Sequence, residues 1–345
     1  MEEVITANCL PLVRDEIWLP VEETAHVGRI RRTATALAER LGFGATRTAE
    51  IGLAATEIGT NLHKHARQGV VLIRAVRGER DAAVEILAVD HGPGIADMAL
   101  AWEDGQSTTG TLGVGLGAVA RLATSCAMTS RPGMGTALVA RFAPKLHWAP
   151  EWGDEPAAGV TRPINGEEVC GDAYAVCRST DRMTLMMCDG SGHGPLAAAA
   201  SDVAVRVFRE QPFLPPDQVV ARLHAAMRGT RGGAVAVADI DLVRRTVRYC
   251  GLGNIAAAVL ADGRKHGMIS VPGVAGHQAR TIRTFDYPLP ERAVVAMHSD
   301  GLTERWGVDH GSDLIADPPV LIAATLLREA GVRHDDACVL VARPA

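Results

Sequence analysis

The stretch "MTLMMCDGSGHGPLAAAA", residues 183 to 200, ends an apolar run in a carboxylate. Nearly side-chain-free backbone and an alanine-rich helix follow. A charge at the end of a buried strand is costly unless a cation or a hydrogen-bonding partner satisfies it. The same device recurs. Asp172 follows "VCG", Asp300 ends "AVVAMHS", and Asp335 and Asp336 precede "ACVLVAR". A chain that repeats this pattern must bring several strand ends to one place. Carboxylates converging from separate strands, with no Cys pair and few His nearby, describe a hard-cation site for Mg²⁺ or Mn²⁺. A two-metal site suits phosphate ester hydrolysis.

The chain divides at residues 144–163, "PKLHWAPEWGDEPAAGVTRP", where four prolines fall in a stretch without helical or alternating period. At 345 residues, 47% apolar and 22% charged, it can build two packed cores. Before the linker, "EETAHVGRIRRTATALAERLGFG" and "ATRTAEIGLAATEIGTNLHKHA" carry helical spacing. "VVLIRAVRG", "AAVEILAVD", "CAMTSRP" and "GTALVARF" read as strands. After it, "CGDAYAVC", "MTLMMCD", "GAVAVADID", "TVRYCGLG", "IAAAVLAD", "RAVVAMHSD" and "ACVLVAR" read as strands, with helices near 195–210, 216–228 and 317–330. Neither half alternates strand and helix regularly, so both are expected to be α+β sandwiches.

In the second helix Glu57 and Asn61 stand one turn apart on one face, beside the apolar stripe Ile51, Ala54, Ile58 and Leu62. A carboxylate next to a carboxamide suits a base beside a Mg²⁺ ligand. In "VDHGPGI", Asp90 can accept a hydrogen bond from an exocyclic amine, and Gly92 and Gly94 let a flat base approach the backbone. In "GTLGVGLG", Gly110, Gly113, Gly115 and Gly117 precede a helix, an arrangement that presents bare N–H groups to phosphate. The loop lacks the Lys-Ser/Thr of a P-loop and the βαβ context of a dinucleotide fold.

Taken in order, "TEIGTN", "DHGPG", "GVGLG" and "GTAL" resemble the N, G1, G2 and G3 boxes of the GHKL ATPase family over about residues 15–143. The short span from Asp90 to Gly113 is similar to the anti-sigma-factor serine kinases. The resemblance implies a Bergerat α/β sandwich that binds ATP. In it Glu57 is the catalytic base, Asn61 the Mg²⁺ ligand, Asp90 the adenine reader, and Gly113, Gly115 and Gly117 the phosphate lid, with Thr136 of "GTAL" at the nucleotide. Some such relatives only bind ATP and sequester a partner. The alternative is therefore a non-catalytic, anti-sigma-like binding module that recruits or gates the second domain.

"CGDAY", "DGSGHG", "GLGNI", "SDGLTE" and "DDACVLVAR" resemble the metal-dependent PPM (PP2C-like) phosphatases of the SpoIIE and RsbX branch over about residues 160–343. The resemblance implies an αββα sandwich with a two-metal site. Asp189 would bridge both ions, Gly190 would bind one through its carbonyl, and Asp172, Asp300 and Asp335 would complete the shells; Asp336 is the less favoured neighbour. Cys170 stands where a glycine is usual and Cys338 where a threonine is common. Ser191 stands where eukaryotic PP2C enzymes place a histidine, so the leaving serine must be protonated from elsewhere. His193, between two glycines, reads as a turn or packing residue, His63 and His65 as helix-face residues, and Glu304 as a turn residue.

Together the halves, 15–143 and 160–343 joined by a linker at 144–159, imply a bacterial partner-switching regulator. It would be a protein-serine phosphatase acting on an STAS-type anti-sigma antagonist, fused to a kinase-like ATP-binding domain. A sigma factor or upstream sensor is a further implied partner, and kinases of this type often form homodimers. A net charge of −5 without a basic block gives no footprint for nucleic acid or anionic lipid. No apolar run reaches membrane-helix length, and the start shows no signal-peptide pattern. Seven scattered cysteines without a Cys-x-x-Cys pair make reduced thiols, a cytoplasmic setting and the absence of zinc the expectation.

Overall fold

The structure is a computed structural model describing residues 8–9, 12–77, 82–102, 115–144, 155–165, 167–304, 306, 313–332 and 334–344. The chain forms two units, one made of Pro11–Glu155 and the other of Met1–Leu10 together with Pro156–Ala345.

The first strand, β1 (Asn8–Cys9), therefore belongs with the C-terminal half. The Pro11–Glu155 unit begins with β2 (Leu12–Val21), which is interrupted by a bulge between Arg14 and Ile17. Two helices follow, α1 (Thr24–Arg40) and α2 (Ala45–His65). Next come β3 (Gly69–Arg77), β4 (Ala82–Val89), the single turn α3 (Met98–Ala101), α4 (Gly115–Leu122), β5 (Ser125–Arg131) and β6 (Gly135–Phe142). The strands make one antiparallel sheet in the order β2-β3-β4-β6-β5.

Ile51, Ala54, Ile58 and Leu62 of α2 are buried and pack with Ile30 and Leu37 of α1 against Ile73, Ala75, Ile86, Ala88, Leu138 and Phe142. A Cβ on Gly52 would sit 2.9 Å from Thr35 Cγ2. Glycine there lets α1 and α2 close on each other.

On the sheet's other face the alternating residues are ionic. Arg74 pairs in register with Glu85, and Glu85 with Arg141. Arg74 Nε lies 2.7 Å from Glu85, Arg141 Nε bonds its other oxygen, and Arg141 reaches Glu155 at 2.8 Å. Glu85 is fully buried, yet the two guanidinium groups outweigh burial and bring its carboxyl down to about 2.

The second unit contains β7 (Ala157–Arg162), β8 (Asp172–Arg178), β9 (Arg182–Gly190), α5 (Pro195–Glu210), α6 (Pro216–Ala226) and β10 (Gly233–Asp241). It continues with β11 (Thr246–Leu252), β12 (Ala256–Ala261), β13 (Arg264–Met268), β14 (Ser270–Val271), β15 (Phe285–Pro288), β16 (Val294–His298), α7 (Pro319–Ala330) and β17 (Ala337–Ala342). One sheet runs β1-β8-β9-β10-β11-β14, with β15 also on β11. The other runs β13-β12-β16-β17-β7.

Met183, Leu185, Met187, Ala236 and Tyr249 from the first sheet pack with Val259, Val295, Met297 and Leu340 from the second. Helices α5 and α6 lie against the first sheet and α7 against the second, giving the αββα sandwich. Met and Ala fill this core in place of the few aromatics.

Two sequence expectations need correction. Part of the presumed linker is strand: β7 starts at Ala157 and pairs with β17 along its length. Proline and glycine hid it. Gly159 is needed because a Cβ there would lie 2.6 Å from the Tyr174 ring, whose hydroxyl donates to the Gly159 carbonyl at 3.0 Å. The expectation of reduced thiols fails at one pair. Strand β1 lies antiparallel to β8 with Cys9 opposite Cys177, and the two are joined as a disulfide across 168 residues. Cys126, Cys170, Cys188, Cys250 and Cys338 are free thiols. Among the described residues no helix is long and apolar enough to cross a membrane.

Candidate functional site

In the C-terminal unit the strand-terminal carboxylates meet at one end of the sandwich. Asp172 opens β8 directly opposite Asp189, near the end of β9. Asp300 follows β16 and Asp335 precedes β17, so the second sheet contributes from across the core. The consequence is mutual repulsion. Burial, then the charges of Asp300 and Asp335, push Asp189 up to about 7. Burial and the Asp189 charge hold Asp172 well above the usual carboxylate range, and burial with Asp335 raises Asp300.

Each carboxylate is held differently. Asn254 Nδ2 donates to Asp300 Oδ2 at 2.6 Å. Ser299, whose hydroxyl accepts from Cys338 N at 2.9 Å, acts to lower Asp172 against burial and the neighbouring charges. Asp172 Oδ2 is buried with no hydrogen-bond partner. An orphaned, buried, acceptor-only oxygen beside a second carboxylate is what a hard divalent ion satisfies.

Asp336 is different. Its Oδ1 accepts from Ile164 N at 2.7 Å and its Oδ2 from Gly171 N at 2.8 Å, so backbone uses both of its oxygens. Asp335 Oδ1 takes only the N–H of Asp336 at 2.9 Å. Gly190 is pressed between two backbone segments: a Cβ there would lie 2.4 Å from the Ala197 carbonyl and 2.8 Å from that of Gly171. Among the described residues no three His, Cys, Asp or Glu side chains form a ready-made cage for one ion. The donors are spread as successive pairs, which fits Mg²⁺, an ion that keeps several waters and takes one or two carboxylates.

His193 is exposed, and its Nδ1 lies within hydrogen-bond distance of Glu167 Oε1, at 2.9 Å. Glu304 gives its carbonyl to Lys265 Nζ at 3.1 Å. Asn254 and Ser299 were not singled out from the sequence. The available signal was a polar residue beside a motif glycine in "GLGNI" and directly before the aspartate in "HSD".

In the N-terminal unit Glu57 and Asn61 lie one turn apart on α2, both half-buried. Neither side chain has a hydrogen-bonding or ionic partner among the described residues. His63 is exposed and lies 3.1 Å from Thr24 Oγ1; His65 is also exposed. Asp90 is buried just past β4, and its Oδ1 accepts from Gly92 N at 2.6 Å. Its N–H donates to the Thr136 carbonyl at 3.0 Å, while the Thr136 hydroxyl lies 2.8 Å from Ser130 Oγ.

Two glycines are fixed by contact here. A Cβ on Gly94 (φ +71°) would lie 2.0 Å from the Arg131 carbonyl, and one on Gly135 (φ +86°) 2.0 Å from that of Asp90. Gly115 begins α4 with φ +63°, and Gly117 is buried inside that helix. Gly110 and Gly113 lie outside the described residues. Buried Arg47, unforeseen from sequence, ties α2 to the carbonyls of Leu122 at 2.6 Å and Ala143 at 2.9 Å, and to Thr124 Oγ1 at 3.0 Å.

Residues 179–345 match the family described as stage II sporulation protein E (SpoIIE), and residues 20–142 match the histidine kinase-like ATPase domain. The serine/threonine-protein kinase RsbT of Bacillus subtilis (strain 168) is 37% identical over 110 residues, which cover 32% of this chain and 83% of that protein. The solved PP2C phosphatase domain and regulatory-domain fragment of SpoIIE from Bacillus subtilis is 12% identical, covers 92% of this chain and 94% of its own, and superposes with a TM-score of 0.46. The RsbU and RsbW domains of a Mycobacterium tuberculosis protein are 20% identical over 55% of this chain and 62% of theirs, with a TM-score of 0.46.

Proposed function

The chain belongs to the histidine kinase-like ATPase family through its N-terminal half and to the SpoIIE family through its C-terminal half, and from that premise we propose that it is a partner-switching protein-serine phosphatase. Its substrate would be a phosphoserine on an STAS-type antagonist protein. Its N-terminal unit would bind ATP as a serine kinase-like module. The observation that carries the phosphatase reading is the meeting of Asp172, Asp189 and Asp300 from two sheets, with Asp172 Oδ2 left without a partner.

Asp172, Asp189, Asp300, Asp335 and the Gly190 carbonyl are the groups that would hold Mg²⁺ or Mn²⁺. When bound, such ions neutralise phosphoryl charge and acidify an attacking water. The chain's own residues position the parts. Asn254 fixes the Asp300 carboxylate, and Ser299 fixes Asp172. Asp336 clamps the backbone of Gly171 and so sets the start of β8. Phosphoryl transfer needs little beyond positioning and charge neutralisation. His193 is engaged by Glu167, so the departing serine oxygen would take its proton from water.

In the N-terminal unit Asn61 would hold the Mg²⁺ of ATP and Asp90 would accept from the adenine amine. Gly92, Gly94, Gly113, Gly115, Gly117 and Thr136 would line the nucleotide, and Glu57 would take the hydroxyl proton of an attacking serine.

The test incubates the full chain with a phosphoserine STAS protein and Mn²⁺. Phosphate release that Asp189→Ala abolishes is expected; release undiminished by that change would overturn the phosphatase reading. In parallel, radiolabelled ATP and the unphosphorylated STAS protein test transfer, which Glu57→Ala should remove while ATP binding persists.

A further inference from the structure

Ions held by Asp172, Asp189, Asp300 and Asp335 would share their charge with those carboxylates, so a phosphate dianion gains from a further cation close by. His193 at the rim is already paired with Glu167.

Arg231 is placed differently. It is exposed, and its guanidinium has no hydrogen-bonding or ionic partner among the described residues. Its NH1 comes within 3.0 Å of where a Cβ on Gly192 would stand, three residues beyond Asp189. The Gly192 carbonyl in turn lies 3.5 Å from the corresponding point on Gly171, the neighbour of Asp172. The guanidinium therefore lies against Gly192, in the loop that leaves Asp189.

The backbone that presents it is locked. Thr230 Oγ1 donates to the Met227 carbonyl at 2.7 Å and accepts from Gly232 N at 3.0 Å. Ser191 N donates to the Gly232 carbonyl at 2.9 Å, and His277 Nε2 donates to the Arg231 carbonyl at 3.0 Å. Gly232 has φ +68°, and a Cβ there would lie 2.4 Å from the Ala275 carbonyl. The pinned turn fixes where the Arg231 side chain leaves the backbone, and its planar fork matches two phosphate oxygens.

We propose that Arg231 binds the phosphoryl group of the substrate, orienting it at the rim of the carboxylate site. The inference rests on the phosphatase reading. The test is calorimetric titration of inorganic phosphate into the Mg²⁺-loaded full chain. Arg231→Gln should weaken phosphate binding about ten- to a hundredfold, the range for a lost charge-assisted hydrogen bond. Arg231→Lys should fall between, and the Mg²⁺ midpoint read by thermal shift should not move. Equal phosphate affinity in the unsubstituted chain and Arg231→Gln, or no phosphate binding by either, would overturn the inference. So would loss of Mg²⁺ binding in the variant, which would mean that Arg231 supports the fold of the site. A chain that binds phosphate through Arg231 but frees none from phosphoserine protein would sink the phosphatase reading alone.

Discussion

Asp172 and Asp189 face each other across β8 and β9 as a directly registered pair of carboxylates. No hydrogen bond reaches Asp172 Oδ2, and burial with the Asp189 charge raises its proton affinity. The fold thus holds together two groups that repel when both are ionised.

Removing one of these charges should therefore help the fold and harm the chemistry. Asp172→Asn is expected to raise the stability of the cation-free protein by about 1 kcal/mol. It should also cut phosphate release about a hundredfold or more. Thermal unfolding in chelator, set beside a phosphate-release assay, checks both; a destabilised variant would count against the repulsion.

Burial of Asp189, with the charges of Asp300 and Asp335 beside it, predicts a pH dependence. Asp189 moves from an ordinary 3.8 to about 7 on folding. A raised acid contributes stability that is fully present below the unfolded value and lost as pH rises through the folded one. Cation-free protein should lose stability between about pH 4 and 7, and millimolar Mg²⁺ should flatten that slope. Denaturant midpoints across this window, with and without Mg²⁺, measure it.

Glu85 should behave in the opposite sense. Its carboxyl is lowered from 4.5 to about 2 beside Arg141 and Arg74, so its contribution is present above about 4.5 and lost as pH falls through 2. Glu85→Gln leaves two buried guanidinium groups short of a counter-charge and should cost about 3–5 kcal/mol. Urea unfolding followed by tryptophan fluorescence reads the loss.

Gly135→Ala would put a methyl group 2.0 Å from the Asp90 carbonyl. We expect a loss of about 1–3 kcal/mol from overpacking and a clear fall in affinity for a fluorescent ATP analogue. Unchanged nucleotide binding would detach Asp90 from the nucleotide site.

Much of this architecture is legible in the chain. The strands β3, β4, β8, β9, β10 and β17 are apolar runs punctuated by Gly, Asp or Pro, and local pattern suffices to find them. The buried stripe of α2 follows from the spacing of Ile51, Ile58 and Leu62. What escapes is decided by partners distant in sequence. "DEIWLPV" holds a proline and two acids, yet it becomes β2 because β3 offers it an edge. "AAGVTR" is a strand only because β17 pairs with it. Asp335 and Asp336 look alike in the sequence. Only the N–H groups of Ile164 and Gly171, more than 160 residues away, tell them apart. Arg231 carries no motif at all; its meaning comes from its nearness to Gly192.

Asn8 and Cys9 pair with Arg178 and Cys177 at the end of β8, the strand that starts at Asp172. A fragment trimmed to begin at the proline-rich junction would discard them and uncover the backbone of Cys177 and Arg178 at the end of β8. It would also leave the Cys177 thiol without its mate. Bared edges of this kind recruit other chains. Workers isolating the C-terminal half should therefore expect self-association or mixed disulfides from such a cut, and should graft the leading decapeptide back on before judging the fragment's behaviour.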